Sequence, residues 1–108
     1  MHYVFDIDGT ICTHKSIGSP YEQATPLTER IVKINNLFNE GHGIIFHTAR
    51  GMGTFKNDGK KAHEKYYNLT LNQLNNWGVR FHKLIMGKPS GDLYVDDKGI
   101  SDEKFFED

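Results

Sequence analysis

Tyr3-Val4-Phe5-Asp6-Ile7-Asp8-Gly9-Thr10 is the stretch on which the reading of the fold turns. Residues 3–7 form a short, β-rich apolar run, which reads as a buried strand entering a tight turn. Asp6 and Asp8 lie two residues apart, so both carboxylates can point the same way as the strand ends. Gly9 lets the backbone turn sharply and leaves space beside it. Backbone N–H groups exposed in such a turn can hold an anion. Two acids beside those amides make chemical sense if a metal ion joins them, and oxygen ligands with a phosphate suit Mg2+.

Outward from this turn, short apolar runs alternate with amphipathic ones. Residues 13–25 carry Gly18, Ser19 and Pro20 and read as a loop. A first helix is expected next, with Thr25 as cap and Pro26 at its first position. Leu27, Ile31, Ile34 and Phe38 fall on one helical face, and Gly41 is the natural stop. Residues 44–48 read as a second strand, followed by the turn Arg50-Gly51-Met52-Gly53. A second helix is expected to begin between Asn57 and Lys60 and to end at Gly78, with Ala62, Tyr66, Leu69 and Gln73 on one stripe. Residues 83–86 read as a third strand and Leu93-Tyr94-Val95 as a fourth. Ser101 is placed to cap a short last helix holding Phe105 and Phe106. This is an α/β pattern. In such sheets ligands bind at the carboxyl ends of the strands, where Asp6, Asp8, Thr48, Asp96 and Asp97 fall.

Composition narrows the classes. A chain of 108 residues fits one domain with one core. Thirteen Lys plus Arg against fourteen Asp plus Glu gives a net charge of −1, so nothing draws it in bulk to nucleic acid or an anionic membrane. A single cysteine excludes an internal disulfide framework and a multi-cysteine zinc site. No apolar run approaches the roughly 20 residues of a membrane helix. The N-terminus lacks signal-peptide features, so a cytoplasmic location is expected.

Taken singly, several residues are ambiguous. The acidic pairs can be solvated turns that cap helices. However, two pairs, each directly after an apolar strand, would repel at one sheet edge unless a cation compensates. Thr48 alone reads as a strand-end residue capping a turn. Arg50 reads equally as a phosphate contact or a surface charge. Lys88, before Pro89, reads as a solvated loop residue.

Together, these stretches resemble the four motifs of the haloacid dehalogenase (HAD) superfamily of phosphatases. Phe5-Asp6-Ile7-Asp8-Gly9-Thr10 resembles the first, Ile45-Phe46-His47-Thr48-Ala49-Arg50 the second, Gly87-Lys88-Pro89 the third, and Leu93-Tyr94-Val95-Asp96-Asp97-Lys98-Gly99 the fourth. They occur in family order across nearly the whole chain. Tyr-Val-Asp-Asp-Lys-Gly and Thr-Ala-Arg-Gly-Met are most similar to small phosphatases of capsular or surface polysaccharide biosynthesis. The resemblance implies a Rossmann-like three-layer sandwich around a mainly parallel sheet, one core domain over residues 1–108. The motif intervals leave no room for a cap domain.

The resemblance also implies a chemistry, that of a Mg2+-dependent phosphomonoesterase acting on a small sugar or polyol phosphate. Asp6 would attack phosphorus, and Asp8 would serve as acid and then base. Mg2+ would be held by Asp6, Asp8 through its carbonyl, and Asp96, with Asp97 in support. Thr48, Lys88 and the amides of Ile7, Asp8 and Ala49 would bind the phosphoryl oxygens, with Thr10 and Arg50 supporting. Lys88 and Asp96 are eight residues apart, a reach of about 26 Å for extended chain, so the connection between their strands is tight. Lys98 therefore competes with Lys88 for the motif III role.

Other classes are compatible with the same residues. A receiver-like signalling domain also uses acids, a Thr and a Lys, but separates its acidic pair from the phosphoacceptor. A non-catalytic phosphate-binding module on the same fold is a further class. A polynucleotide 3′-phosphatase is another, because residues 50–65 carry Arg50, Lys56, Lys60, Lys61 and Lys65 against Asp58 and Glu64, although a solvated helix face explains that run more simply. His63-Glu64 lacks the second histidine of a zinc motif. His14, Lys15 and Tyr21 follow the first motif and could lean over an open site, and a homo-oligomer could supply a lid.

Overall fold

The structure is a computed structural model that describes residues 1–14 and 20–107; Lys15 and the rest of 15–19 lie outside the described residues. Three strands, β1 (His2–Phe5), β2 (Gly43–Thr48) and β3 (Lys83–Met86), form one parallel sheet in the order β1-β2-β3. The register runs from His2↔Gly43 to Phe5↔Phe46 and from Ile45↔Lys83 to Thr48↔Met86. The crossover helices are α1 (Thr28–Asn39) and α2 (Gly59–Asn76). Right-handed crossovers that step in one direction along a sheet put their helices on one face. Accordingly, Phe5, Ile44, Phe46, Leu84 and Met86 share a face and a core with Ile31 and Ile34 of α1 and Leu74 of α2.

The described chain therefore builds two layers of the expected three. The opposite sheet face carries His2, Val4, Ile45, His47, Lys83 and Ile85, all exposed or half-buried. A concavity of about 390 Å³ on that face is lined by His2, Gly43, Ile45 and Lys83, at the amino ends of the strands and away from Asp6.

Helix boundaries follow local chemistry. Asp58 caps α2, accepting hydrogen bonds from the Lys60 and Lys61 amides at 3.1 and 3.2 Å. Gly78, with φ +73°, follows its last turn. Ser101 caps the short helix α3 (Asp102–Phe105) as expected. The start of α1 differs from the expectation. Thr25 does not cap it and Pro26 is not helical, because 25–27 pair with 11–13: Thr13 N–H donates to Thr25 O, and Leu27 N–H to Ile11 O. That pairing satisfies backbone groups a cap would otherwise serve, and α1 begins at Thr28.

The fourth strand expected at Leu93-Tyr94-Val95 is not formed. Every residue from 89 to 101 is exposed, and Leu93 and Val95 are 81% and 90% exposed. Strand propensity is realised only against a neighbour, and these residues have none among the described residues. Beyond them α3 returns to the core. Phe105 and Phe106 pack on Phe5 at ring-centroid distances of 5.5 and 6.1 Å, and Arg30 bonds Asp102 at 2.7 Å.

Candidate active site

Three parallel strands bring three distant segments to one edge of the sheet. Asp6 follows β1, Thr48 ends β2, and Gly87-Lys88 follows β3. Gly87 takes φ +89°, a conformation that favours glycine, and turns the chain back over the sheet edge. The Lys88 N–H then donates to the Thr48 carbonyl at 3.1 Å. Lys88 Nζ lies 3.8 Å from Asp6 Oδ1 and 4.4 Å from the centre of the Tyr94 ring. Lys88 thus stands beside the first carboxylate, whereas Lys98 is exposed.

Asp6 is pushed above its ordinary pKa, chiefly by burial. Lys88, the Ile7 amide and His14 act against that rise, and Asp8 adds to it. His14 stands over Gly9: a Cβ there would collide with the imidazole, and the φ of +83° is a second reason for glycine. His47, on the half-covered side, is lowered by burial and by Lys88, with Asp6 opposing. The residues at this edge interact electrostatically although they are far apart in sequence.

Asp8 is held differently. Arg50 Nε donates to Asp8 Oδ2 and Nη2 to Oδ1, both at 2.9 Å. Arg50 is 1% exposed, and its Nη1 also donates to Thr70 Oγ1 and Gln73 Oε1 on α2, at 3.2 and 2.6 Å. Arg50 is therefore neither a phosphate contact nor a surface charge; it is a buried clamp that orients Asp8 from α2. Bidentate pairing of this kind fixes geometry as well as charge. Spacing alone gave no sign of it, because Thr70 and Gln73 are twenty and more residues away. The other basic residues of that run, Lys56, Lys60, Lys61 and Lys65, are exposed.

Several expected phosphate ligands are occupied within the chain. Thr48 is 1% exposed, and its Oγ1 accepts the Arg50 N–H at 3.1 Å, the turn-capping role it has when read alone. The Thr10 amide donates to Ile7 O at 3.0 Å, and the Thr10 carbonyl accepts from Arg30. The Ile7 amide serves the Asp6 carboxylate. Ala49 lies half-buried between Thr48 and Arg50. Cys12 is buried behind Asp8, donating to Asp8 Oδ1 at 3.5 Å. Its thiol pKa is raised to about 12 by burial and by the Asp8 charge.

The Mg2+ ligand set implied by the motifs is not assembled within one chain. Among the described residues no group of three His, Cys, Asp or Glu side chains is placed to hold a metal ion. Asp96 and Asp97 are exposed, and Asp96 Oδ1 caps its own turn by accepting the Lys98 N–H at 2.9 Å, the main cause of its lowered pKa. Both oxygens of Asp8 belong to Arg50. Asp6 with the Asp8 carbonyl does not by itself fit a resident Mg2+.

No helix among the described residues is long and apolar enough to cross a membrane. No protein-family model matches the chain. No curated protein matches it. Among solved structures, the crystal structure of a structural-genomics target from Vibrio cholerae is similar, with a TM-score of 0.89 and 23% identity over 98% of this chain and 87% of that one. That likeness speaks for the fold: an α/β, Rossmann-like arrangement around a parallel sheet.

Proposed function

We propose that this chain is a phosphomonoesterase resembling the haloacid dehalogenase superfamily, working through an aspartyl-phosphate on a small sugar or polyol phosphate of surface polysaccharide biosynthesis in the cytoplasm. The observation that carries the reading is Lys88 beside Asp6, 3.8 Å apart, at the carboxyl edge of a parallel sheet, with Asp8 two residues on. A carboxylate cannot approach a phosphate dianion unaided, and a fixed ammonium between them offsets the repulsion.

In this reading an Asp6 oxygen attacks phosphorus as the P–O bond to the alcohol breaks. The leaving oxygen takes its proton from Asp8. Water then attacks phosphorus and gives a proton to Asp8 as the bond from phosphorus to Asp6 breaks, freeing phosphate and Asp6. Because Arg50 occupies both Asp8 oxygens, Asp8 must release one of them to carry a proton. These steps are those of the chain's own residues; the Mg2+ that the resemblance implies would be held by Asp6, the Asp8 carbonyl and Asp96 and would supply charge neutralisation between carboxylate and phosphate.

The test is phosphate release from a panel of monoesters, followed by hydrolysis of the best one with a phosphorus made chiral by oxygen isotopes and sulfur. Two in-line displacements, through Asp6 and then water, retain configuration at phosphorus, and retention supports the covalent route. Inversion, the mark of one direct attack by water, overturns it.

A further inference from the structure

Three features of this fold are unfinished in ways that fit one another. The first is the outer edge of β1, which pairs only with β2 among the described residues. Unprotected strand edges recruit further strands. The second is the uncovered face beside that edge, where Val4 is 64% exposed. Parallel sheets are ordinarily covered on both faces. The third is Leu93-Tyr94-Val95, a segment of strand-forming composition with all three side chains exposed and no strand partner among the described residues.

One chain cannot readily join these pieces itself. Six residues, 87–92, separate the end of β3 from Leu93. A parallel crossover takes about a dozen residues or more. Here the chain would have to pass three strand spacings, each about 4.8 Å, and also return to the amino end of the sheet. The connector instead stays at the carboxyl edge, tied by Ser90 N–H to Asn57 Oδ1 and by the Tyr94 hydroxyl to Pro89 O. Short connectors of this kind favour exchange of the segment between copies.

We infer that the occupant of the β1 edge is the segment 93–95 of a second copy of this chain, exchanged reciprocally across a two-fold axis. Paired in parallel, with 93, 94 and 95 opposite 3, 4 and 5, it makes a fourth strand whose next residue, Asp96, falls opposite Asp6. The acidic set that one chain leaves apart is then completed by its partner. This last point rests on the phosphatase reading; the strand pairing does not. The α3 contacts with Arg30 and Phe5 pass to the partner with the exchanged segment, since exchange preserves contacts and changes only the chain that supplies them.

The experiment has three arms. Light scattering and sedimentation should give twice the 12.4 kDa chain mass. Val95→Lys, which places a charge on the added strand, should raise the dimer dissociation constant at least about tenfold. In the second arm, His2→Cys chains are refolded with Asp92→Cys chains and treated with a short bismaleimide. Residues 2 and 92 face each other in the inferred register, so a cross-link between the two variants is expected. A monomeric mass with no inter-chain cross-link, or a cross-link formed only within a chain carrying both cysteines, overturns the exchange. In the third arm, Asp6→Asn and Asp96→Ala chains are refolded together. Random pairing should restore about a quarter of wild-type turnover, because half the dimers are mixed and each has one intact site. A dimer whose mixture stays inactive, although wild type turns over, keeps the strand pairing and overturns the shared site. If wild type releases no phosphate from any ester, the phosphatase reading fails, and mass and cross-linking still decide the exchange.

Discussion

Arg50 closes both oxygens of Asp8, with two bonds of 2.9 Å from a guanidinium that solvent does not reach. The two members of the acidic pair therefore carry opposite stability signs. Asp8 belongs to a satisfied buried ion pair, and removing either partner strands the other. Arg50→Met and Asp8→Ala should each cost about 3–5 kcal/mol, read as a fall in the urea midpoint. The double variant should cost less than the sum. Additive losses would mean that the pair does not act as a unit.

Asp6 should behave in the opposite way. Burial raises its pKa, so the folded state holds the Asp6 proton more tightly than the unfolded state does. Stability from this group is complete below the ordinary value of 3.8 and is lost as pH rises through the raised one. Asp6→Asn, which stays neutral, should thus be more stable than wild type at pH 7 in chelator. The advantage should vanish below pH 3.8. Urea titrations of both proteins across pH 3–8 check this, and a less stable Asp6→Asn at neutral pH would contradict it.

In the phosphatase reading Lys88 and Lys98 compete for one role, and Lys88 is the one beside Asp6. Lys88→Ala should lower turnover at least tenfold, since one charge contact to a transferring phosphoryl group contributes about 2–4 kcal/mol. Lys98→Ala, distant from Asp6, should change it much less. Steady-state kinetics on the best ester of the panel separates the two, and a larger loss at Lys98 would reverse the assignment.

Cys12 combines complete burial with a thiol pKa raised to about 12. It should resist alkylation by iodoacetamide at pH 8 in the native state and react fully in denaturant. Mass spectrometry of the labelled protein reads this directly. Rapid native labelling would show that the turn around Asp8 opens.

The sequence made the sheet legible where pattern and packing agree. The apolar run at 44–48, the stripe of α2 with its start between Asn57 and Lys60, and the cap at Ser101 are local signals, and local physics decides them. Leu93-Tyr94-Val95 has the same local character as β1, but a strand needs a neighbour, and no local rule states whether the chain can reach one. Arg50 failed for a related reason. Its burial depends on Thr70, Gln73 and Asp8 converging, which no spacing expresses. The start of α1 moved because 25–27 found partners at 11–13 rather than in a cap.

The absence of any hairpin in the described sheet has a kinetic side. His2↔Gly43 closes 41 residues, Ile45↔Lys83 closes 38, and Phe5 waits for Phe105, a hundred residues on. No strand pair can form as a local nucleus, so the helices must order before the sheet closes around them, and the rate is set by loop closure. The Phe105 contact spans the longest loop within one chain, becomes intermolecular in the exchanged dimer, and in both cases should form last. Phe105→Ala should therefore leave the folding limb of a stopped-flow chevron nearly unchanged and accelerate unfolding, which makes the far end of the chain a latch on a sheet already built.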